Sequence, residues 1–430
     1  MTSPLRLSRR SVLLAGGLGV SLLAAGVVAQ WRPWEDADGL PGAPEPTDDP
    51  VEVVYCAGWE RSGPVSPISE EVARAQDAAG GQYAVGLLVG GTARAVVEVC
   101  WQAHHAEVWF LDDSGRRYRG VAYRRWPDER LRLFEVRGWS SGSLPAEPAV
   151  RARVRRDASG SIENVSLDEE LRGGGKLHTS PGWERWPGSK VLEEEVALPP
   201  WNGWTALAGL TGPVTVRAGS GEVPAAFPWQ PPFPLRPRHV TELTTEGTRF
   251  RLDSGAVETV RRTPAGSIRL PSGTLLVGEP SWFDASSPPL AATVPPGEYA
   301  VDVFGLSGDF PETTACRVTV SDAPVTSWEL GLREGDRELE LGAGEFFGNP
   351  VDAATLALVD RTGATAFSEE DVEKAMSTED THVTVRGEKT DLVVVPGWSD
   401  GAFPVWLGRA ADGSLCQYVL DFQVPGLSPA

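Results

Sequence analysis

After residue 50, short apolar runs alternate with turn residues. The runs are rich in β-branched and aromatic side chains and are bounded by Gly, Asp or Ser; they cover residues 51–56, 83–89, 95–101 and 107–111. Such runs are typical of β-strands. The segment Asp112-Asp113-Ser114-Gly115 predicts a hairpin turn, because Gly readily adopts the positive φ that such turns need. This part of the chain is therefore predicted to be a β-rich domain.

The same pattern returns in the C-terminal part of the chain. Strands are predicted at 294–304, 314–321, 391–395, 403–408 and 415–424.

Three short helices are predicted from their start signals. The first has Ser66 as cap, Pro67 at its first position and residues 68–79 as its body. The second starts at Asn349 and Pro350 and includes 353–358. The third has Ser368 as cap, with Asp371 three residues on, and ends near Met376.

Between these regions lies a segment rich in Trp, Pro and Gly, from residue 173 to 238. It is too aromatic for a loose linker, so short strands and ordered loops are predicted there. The fold class is mainly β (α+β): two β-rich domains with a few short helices, joined by this connector. The predicted organisation is a signal or anchor at 1–29, a Pro- and acid-rich disordered tether at 30–50, an N-terminal domain at 51–172, a connector at 173–238 and a C-terminal domain at 239–430.

The N-terminus has the layout of an export signal. Arg6, Arg9 and Arg10 precede an uncharged stretch from residue 11 to 29. The segment Ser8-Arg9-Arg10-Ser11-Val12-Leu13-Leu14 resembles a twin-arginine signal, although Val12 and Leu14 stand where Phe and Lys are usual. The resemblance implies export by the twin-arginine translocase and an extracellular or cell-surface location. Small residues at 27–29 suit cleavage, while residues 11–29 can instead remain as a membrane anchor.

Composition narrows the possible partners. The 430 residues carry a net charge of -20, which argues against nucleic-acid binding. In an exported protein disulfides are expected, and the positions of the four cysteines favour Cys56–Cys100 and Cys316–Cys416. No cofactor motif is present, and no metal site is predicted. His104 and His105 are adjacent on a predicted strand, so their side chains point to opposite faces.

An ordered series of motifs carries a second resemblance. From Leu270 to Val424 the chain resembles a bacterial family of unknown function, DUF4241. The motifs are Leu270-Pro271-Ser272-Gly273-Thr274, Val294-Pro295-Pro296-Gly297-Glu298-Tyr299, Trp328-Glu329-Leu330-Gly331, Gly397-Trp398-Ser399-Asp400-Gly401 through Gly408, Asp412-Gly413 and Asp421-Phe422. An acidic segment usual in the family is replaced here by Leu341-Gly342-Ala343-Gly344 and Asn349. The resemblance implies a fold and no particular reaction.

Candidate catalytic residues are few. Glu298, Asp400 and Asp421 would be an acid–base group if they met at one sheet edge. Hairpin turns and a sheet core explain the same motifs without chemistry, since Asp-Gly pairs favour turns. A non-enzymatic binding or structural module is therefore the preferred function, with an extracellular hydrolase using Asp400 and Asp421 as the alternative.

Two further surfaces have candidate ligands. Rows of exposed tryptophans stack on sugar rings, so the connector is a candidate site for carbohydrate or cell-wall polymer through Trp183, Trp186, Trp201 and Trp204. From Arg116 to Arg137 arginines alternate with aromatic residues. The preferred interpretation is a solvated sheet face with arginine stems lying over aromatic rings. An anionic surface ligand, such as wall polymer or lipid headgroup, is the alternative.

Overall fold

The computed structural model describes residues 47–139, 148–157, 160–170, 176–180, 195–308, 313–377 and 380–430. The predicted signal at 1–29 and most of the tether at 30–50 lie outside the described residues. The chain forms two compact units. Of the described residues, those within 47–99, 106–157 and 162–228 form the first unit; those within 229–430, together with 100–105, 160 and 161, form the second. The predicted connector at 173–238 is thus divided between them.

The first unit is built on one large sheet. Its strands are β1 (Val51–Glu60), β2 (Gly63–Pro67), β3 (Gln82–Val89), β4 (Thr92–Cys100), β5 (His105–Leu111), β6 (Arg117–Arg125), β7 (Arg130–Gly138), β8 (Val150–Arg156), β9 (Ile162–Glu170), β10 (Lys176–Thr179), β11 (Glu195–Ala197) and β12 (Val214–Val216). The main order is β10-β9-β8-β7-β6-β5-β4-β3-β1-β12. Strands next in sequence are mostly next in space, so nearly the whole sheet is a meander. The central strand β5 is buried along its length.

Two helices belong to the first unit: α1 (Glu70–Ala78) and α2 (Trp204–Leu207). The predicted start of α1 is wrong. Pro67 ends β2, and Ser66 has a φ of 45°, outside the helical region. Ser69 is the actual cap, since its side chain accepts a hydrogen bond from the Val72 amide. The helix therefore begins three residues later than its Ser-Pro signal predicts.

The second unit is a two-sheet sandwich. Its strands are β13 (Arg249–Arg251), β14 (Val257–Leu270), β15 (Leu275–Gly278), β16 (Gly297–Leu306), β17 (Thr313–Thr319), β18 (Ser327–Leu330), β19 (Asn349–Val351), β20 (Thr355–Asp360), β21 (Val383–Arg386), β22 (Asp391–Pro396), β23 (Gly401–Phe403), β24 (Val405–Arg409), β25 (Leu415–Asp421) and β26 (Ser428–Pro429). The larger sheet has the order β18-β24-β25-β17-β16-β14-β13-β26, and the smaller β15-β20-β22-β21. β19 and β23 form a separate pair.

Three apolar layers hold the sandwich together. The central one contains residues from both sheets, such as Val303 from β16 and Leu358 from β20. On the outer face of the larger sheet, α3 (Val240–Leu243) contributes Val240 and Leu243 to a second cluster. On the outer face of the smaller sheet, α4 (Glu369–Met376) contributes Ala375 to a third. Both sheets are therefore covered on both faces.

The predicted third helix is confirmed, and the second is wrong. Ser368 caps α4 by accepting a hydrogen bond from the Asp371 amide, and the helix ends at Met376. Residues 353–358 do not form a helix, because most of this stretch belongs to β20. Leu356 and Leu358 enter the central layer, while the residues between and after them enter the outer layer. A strand buried on both faces is apolar without alternation, so its sequence mimics a helix.

The mainly β fold class is confirmed. Most strands predicted in the C-terminal part are present, with shifted ends; residues 294–296 stay outside β16, which begins at Gly297. The hairpin turn at 112–115 is also present, with a φ of 75° at Gly115. In the described part of the chain, no helix is both long enough and apolar enough to cross a membrane.

Candidate functional site

Glu298 and Asp421 lie near opposite ends of the larger sheet. The strands that carry them, β16 and β25, both pair with β17. Asp421 pairs with Ala315, and Ala300, two residues after Glu298, pairs with Thr319. Six residue steps therefore separate the two acids along the strand direction, which is about 20 Å at the rise of a β-strand. Two carboxylates this far apart cannot act on one bond. Glu298 and Asp421 therefore do not form an acid–base pair.

Asp421 is a buried hydrogen-bond acceptor. It is 6% exposed, and its Oδ2 accepts from the indole Nε1 of Trp406 at 3.1 Å while its Oδ1 accepts from the Gln423 amide at 2.8 Å. Burial raises the pKa of this carboxyl, and the two hydrogen bonds offset part of the effect. A raised pKa is common in catalytic acids. Here the carboxyl lies in the outer apolar layer beside Trp406, so the shift reflects burial.

Asp400 holds a turn. Its Oδ1 accepts from the Ala354 amide at 2.9 Å, and from the other side Glu279 Oε2 accepts from the amides of Asp352 (2.6 Å) and Ala353 (3.2 Å). Ala354 has a φ of 45°, a left-handed conformation that costs energy in a residue with a side chain. Two carboxylates thus fix the three residues 352–354, which we call the clamped turn. Sequence reasoning missed Glu279; its signal is an acid directly after a buried strand.

Glu298 is exposed and belongs to a surface network. The hydroxyl of Ser267 donates to Glu298, and Arg386 Nη2 donates to the same hydroxyl at 3.2 Å. Arg269 is the cross-strand partner of Glu298. This arrangement joins β14 and β16 at their ends, and the contacts account for the acid without a ligand.

The deepest carboxylates of the second unit are also held by the fold. Asp391 is fully buried and forms ion pairs with Arg269 (2.6 Å) and Arg386 (2.8 Å). Burial opposes its ionisation, but the hydrogen bonds from Arg269 and the charge of Arg386 keep the pKa of the carboxyl below its usual value. Asp302 pairs with two arginines, and Asp360 accepts from serine and threonine donors. These acids are structural.

Of the four candidate connector tryptophans, Trp201 and Trp204 are packed inside the first unit. Trp204 is 3% exposed. Trp201 stacks on Tyr55, with ring centroids 5.2 Å apart and planes 13° apart, and its indole nitrogen donates to Glu70 at 2.8 Å. The prediction that these two side chains present open faces to sugar is therefore wrong, because protein side chains occupy the faces. The other two candidates, Trp183 and Trp186, lie outside the described residues.

The arginine-rich stretch packs against buried glutamates. Arg117 lies over the ring of Trp109 at 4.7 Å and pairs with Glu98 at 2.5 Å; the Trp109 indole nitrogen donates to the same carboxylate at 2.8 Å. Arg137 lies over the same ring at 4.8 Å and pairs with Glu107. The prediction of arginine stems over aromatic rings is confirmed. The face is not solvated, however, because Glu98 and Glu107 are each 3% exposed.

Burial raises the pKa of Glu107, and the charge of Arg137 acts in the opposite direction. Sequence reasoning also missed Glu98 and Glu107. Their signal is a single acid in the middle of an otherwise apolar run, in Val96-Val97-Glu98-Val99 and Ala106-Glu107-Val108. An acid at such a position needs a buried partner. The arginines that follow in β6 and β7 supply it.

No disulfide joins the four cysteines, which are all buried. β3 lies between the strands of Cys56 and Cys100, so these strands are about 10 Å apart and the two cysteines are separated by at least that distance. Cys316 pairs with Leu420, four residues beyond Cys416 on β25, a separation of about 13 Å. A disulfide requires Cα atoms within about 7 Å. Both predicted disulfides are wrong in this structure, because a strand intervenes in the first pair and the register separates the second.

Two tryptophans of the second unit are exposed. Trp282 is 50% and Trp398 is 40% exposed. Both are close in sequence to the acids that hold the clamped turn: Glu279 lies three residues before Trp282, and Asp400 two residues after Trp398. The Trp398 indole nitrogen donates to the Phe422 carbonyl at 2.7 Å, which fixes the ring. Among the described residues, no group of three or more His, Cys, Asp or Glu could hold a metal ion.

The C-terminal part of the chain matches a known family. Residues 268–420 fit the sequence model described as Protein of unknown function (DUF4241). The match covers about a third of the chain and runs from β14 to β25, so it lies within the sandwich unit. It includes Glu298 and Asp400. No curated protein and no solved structure matches the chain. The expected family resemblance is confirmed for these residues, and the family description carries no activity.

Proposed function

We propose that this protein is exported by the twin-arginine pathway and acts outside the cytoplasm as a non-enzymatic binding or structural module. The observation that carries the proposal is that the candidate carboxylates make structural hydrogen bonds. Asp391 and Asp421 are buried acceptors, and Asp400 and Glu279 clamp a turn. Acids engaged in holding backbone amides and arginines serve the fold. The exposed rings of Trp282 and Trp398 are candidate contacts for a partner.

Export rests on the paired arginines. Replacing both Arg9 and Arg10 by lysine keeps the positive charge but removes the pair that the twin-arginine pathway requires. We expect the double variant to stay in the cytoplasm as folded protein, which cell fractionation and immunoblotting would show. Arg6→Lys is the matched control, since it changes a neighbouring arginine outside the pair and should be exported normally. Export of the double variant would contradict the pathway.

The binding proposal is tested on isolated cell envelopes. The full chain should be retained on sedimented envelopes in a saturable manner and should release no soluble sugar or peptide from them. The hydrolase alternative expects released fragments, and it expects Asp400→Asn to stop their release while leaving envelope binding unchanged. Asn keeps an oxygen that accepts from the Ala354 amide, so this variant tests the charge without losing the turn. Fragment release that depends on Asp400 would overturn the proposal.

A further inference from the structure

The strand β12 forms one edge of the large sheet in the first unit. It is the last strand in the sheet order and runs parallel to β1, with its three residues paired to residues 51–53. Within the part of the chain that the structure describes, no strand lies on the other side of β12. The outer edge of such a strand has amides and carbonyls that can pair with a further strand.

Two hydrogen bonds show which residues of β12 face outwards. The Val51 amide donates to the Pro213 carbonyl at 2.9 Å, and the Arg217 amide donates to the Val53 carbonyl at 2.9 Å. Residues 213 and 217 therefore face β1. The polar groups of successive residues in a strand point to opposite edges. The amides and carbonyls of the two valines of β12 consequently point away from β1.

The outer edge is apolar and uncharged. Val214 is 38% exposed and Val216 is 37% exposed, and Thr215 between them carries no charge. The nearest charged residue along the chain is Arg217, which pairs with Glu52 at 2.5 Å. Proteins commonly protect a free strand edge with an exposed charge or a proline. β12 has neither.

Two edge strands of the second unit carry that protection. β18 lies at one end of the larger sheet and contains Glu329, whose side chain is half-exposed. β26 lies at the other end and contains Pro429, which has no amide hydrogen to donate. The comparison indicates that the β12 edge, unlike these two, is suited to pairing with another strand.

The strand is complementary to itself. If a second copy of β12 runs antiparallel to the first about a two-fold axis at Thr215, Val214 of each copy lies opposite Val216 of the other. These are the outward-facing residues, so each such pair exchanges two hydrogen bonds. The valines then bury apolar surface on one face of the joined sheet, and the two threonines meet on the other face, a favourable cross-strand pair.

We propose that this protein forms a symmetric dimer in solution by antiparallel pairing of β12 with β12 across Thr215, which joins the two large sheets into one. The contact involves three residues of each strand, less than a standard interface, so the dimer dissociates on dilution. The net charge of -20 makes the two copies repel each other. Because β12 itself is uncharged, higher salt strengthens the dimer by screening that repulsion.

A cysteine at position 215 tests the pairing directly in the full chain. Residues that lie opposite each other outside the hydrogen-bonded pairs have Cα atoms about 4.5 Å apart, a distance that a disulfide can span. Thr215→Cys should therefore give a disulfide-linked dimer under mild oxidation, visible on a non-reducing gel. Val214→Cys is the matched control, because its two copies would be about 9 Å apart in this register. The four native cysteines are buried and should not cross-link.

Sedimentation velocity over a range of protein concentrations measures the dimer without a cross-link. Val214→Lys should weaken dimerisation about tenfold, because it places a charge on the pairing edge. Val223→Lys is the matched control. It adds the same charge at a 54% exposed position outside β12 and should dimerise as the wild type does.

A wild type that stays monomeric at every concentration, with no cross-link at position 215, would overturn the inference. Equal cross-linking at positions 214 and 215 would also overturn it, since random collision would then explain the product. A monomeric wild type whose retention on envelopes is lost in Val214→Lys would show that the edge pairs with a strand of another protein instead.

Discussion

Trp109 in the first unit and Trp398 in the second both have a bonded indole nitrogen, but the bonds and the accessibility of the rings differ. The nitrogen of Trp109 donates to the Glu98 carboxylate, whereas that of Trp398 donates to the Phe422 backbone carbonyl. Trp109 is 8% exposed and has two guanidinium groups over its ring; Trp398 is 40% exposed and has none among the described residues. The first unit thus encloses an indole in a buried charge network, and the second leaves an indole ring partly open to solvent.

The acids of the two units also differ in exposure, and therefore in their effect on stability. Glu98 and Glu107 are desolvated, and such charges are tolerated only while their partners are in place. Asp352 and Asp400 stay in contact with water. A change at the first unit's cluster should therefore affect stability more than a change at Trp398.

The largest expected effect comes from removing Trp109. Trp109→Ala should lower the free energy of unfolding by about 3–5 kcal/mol, because a buried indole and its contacts with Glu98, Arg117 and Arg137 are lost. Trp398→Ala should cost about 1 kcal/mol, from one hydrogen bond and a partly exposed ring. Urea denaturation of the two variants measures both values. Equal losses would mean that the two tryptophans have the same structural role and that the comparison is wrong.

Sequence reasoning found the strands of the sandwich because turn residues divide them. It placed a helix at β20, because a strand covered on both faces has no alternation. At the candidate site, sequence reasoning identified Asp400 as a turn residue. Its role in the structure is to accept a hydrogen bond from the amide of Ala354, 46 residues earlier in the chain. Glu279 acts on the same turn from 73 residues earlier in the chain. Such contacts depend on which strands become neighbours, which local patterns do not specify.

Acidification offers a second comparison, between Asp421 in the second unit and Asp112 in the first. Burial raises the pKa of Asp421, so its protonated form is favoured in the folded state. Its contribution to stability is fully present at low pH and is lost as the pH rises through the folded-state pKa. The wild type should therefore gain stability relative to Asp421→Asn as the pH falls from 7 to about 4, the usual pKa of an aspartic acid. Urea denaturation at both pH values measures the difference.

Asp112 is the matched control. Hydrogen bonds from Ser114, aided by the Arg116 amide and charge, lower the pKa of Asp112 to about 2. Its contribution is fully present above the unfolded-state pKa and is lost as the pH falls from there through the folded-state pKa of about 2. The stability difference between the wild type and Asp112→Asn should thus stay nearly constant over the same interval. A wild type that loses stability relative to Asp421→Asn on acidification would show that Asp421 is reached by water or by a cation.

The smallest expected effect concerns the cysteines, where the two units should behave alike. Burial raises the pKa of Cys56 in the first unit and of Cys316 in the second to about 12 in each case, so neither thiol is ionised at neutral pH. A reducing agent should leave the unfolding temperature unchanged, since no disulfide contributes to the fold. Loss of a structural disulfide would typically cost about 2–5 kcal/mol.

A thiol reagent should react slowly with the native chain and should titrate all four cysteines after denaturation. A lower unfolding temperature in reductant, with only two thiols titrated after denaturation, would instead show that one pair is oxidised and that the strand register in that unit differs from the one described.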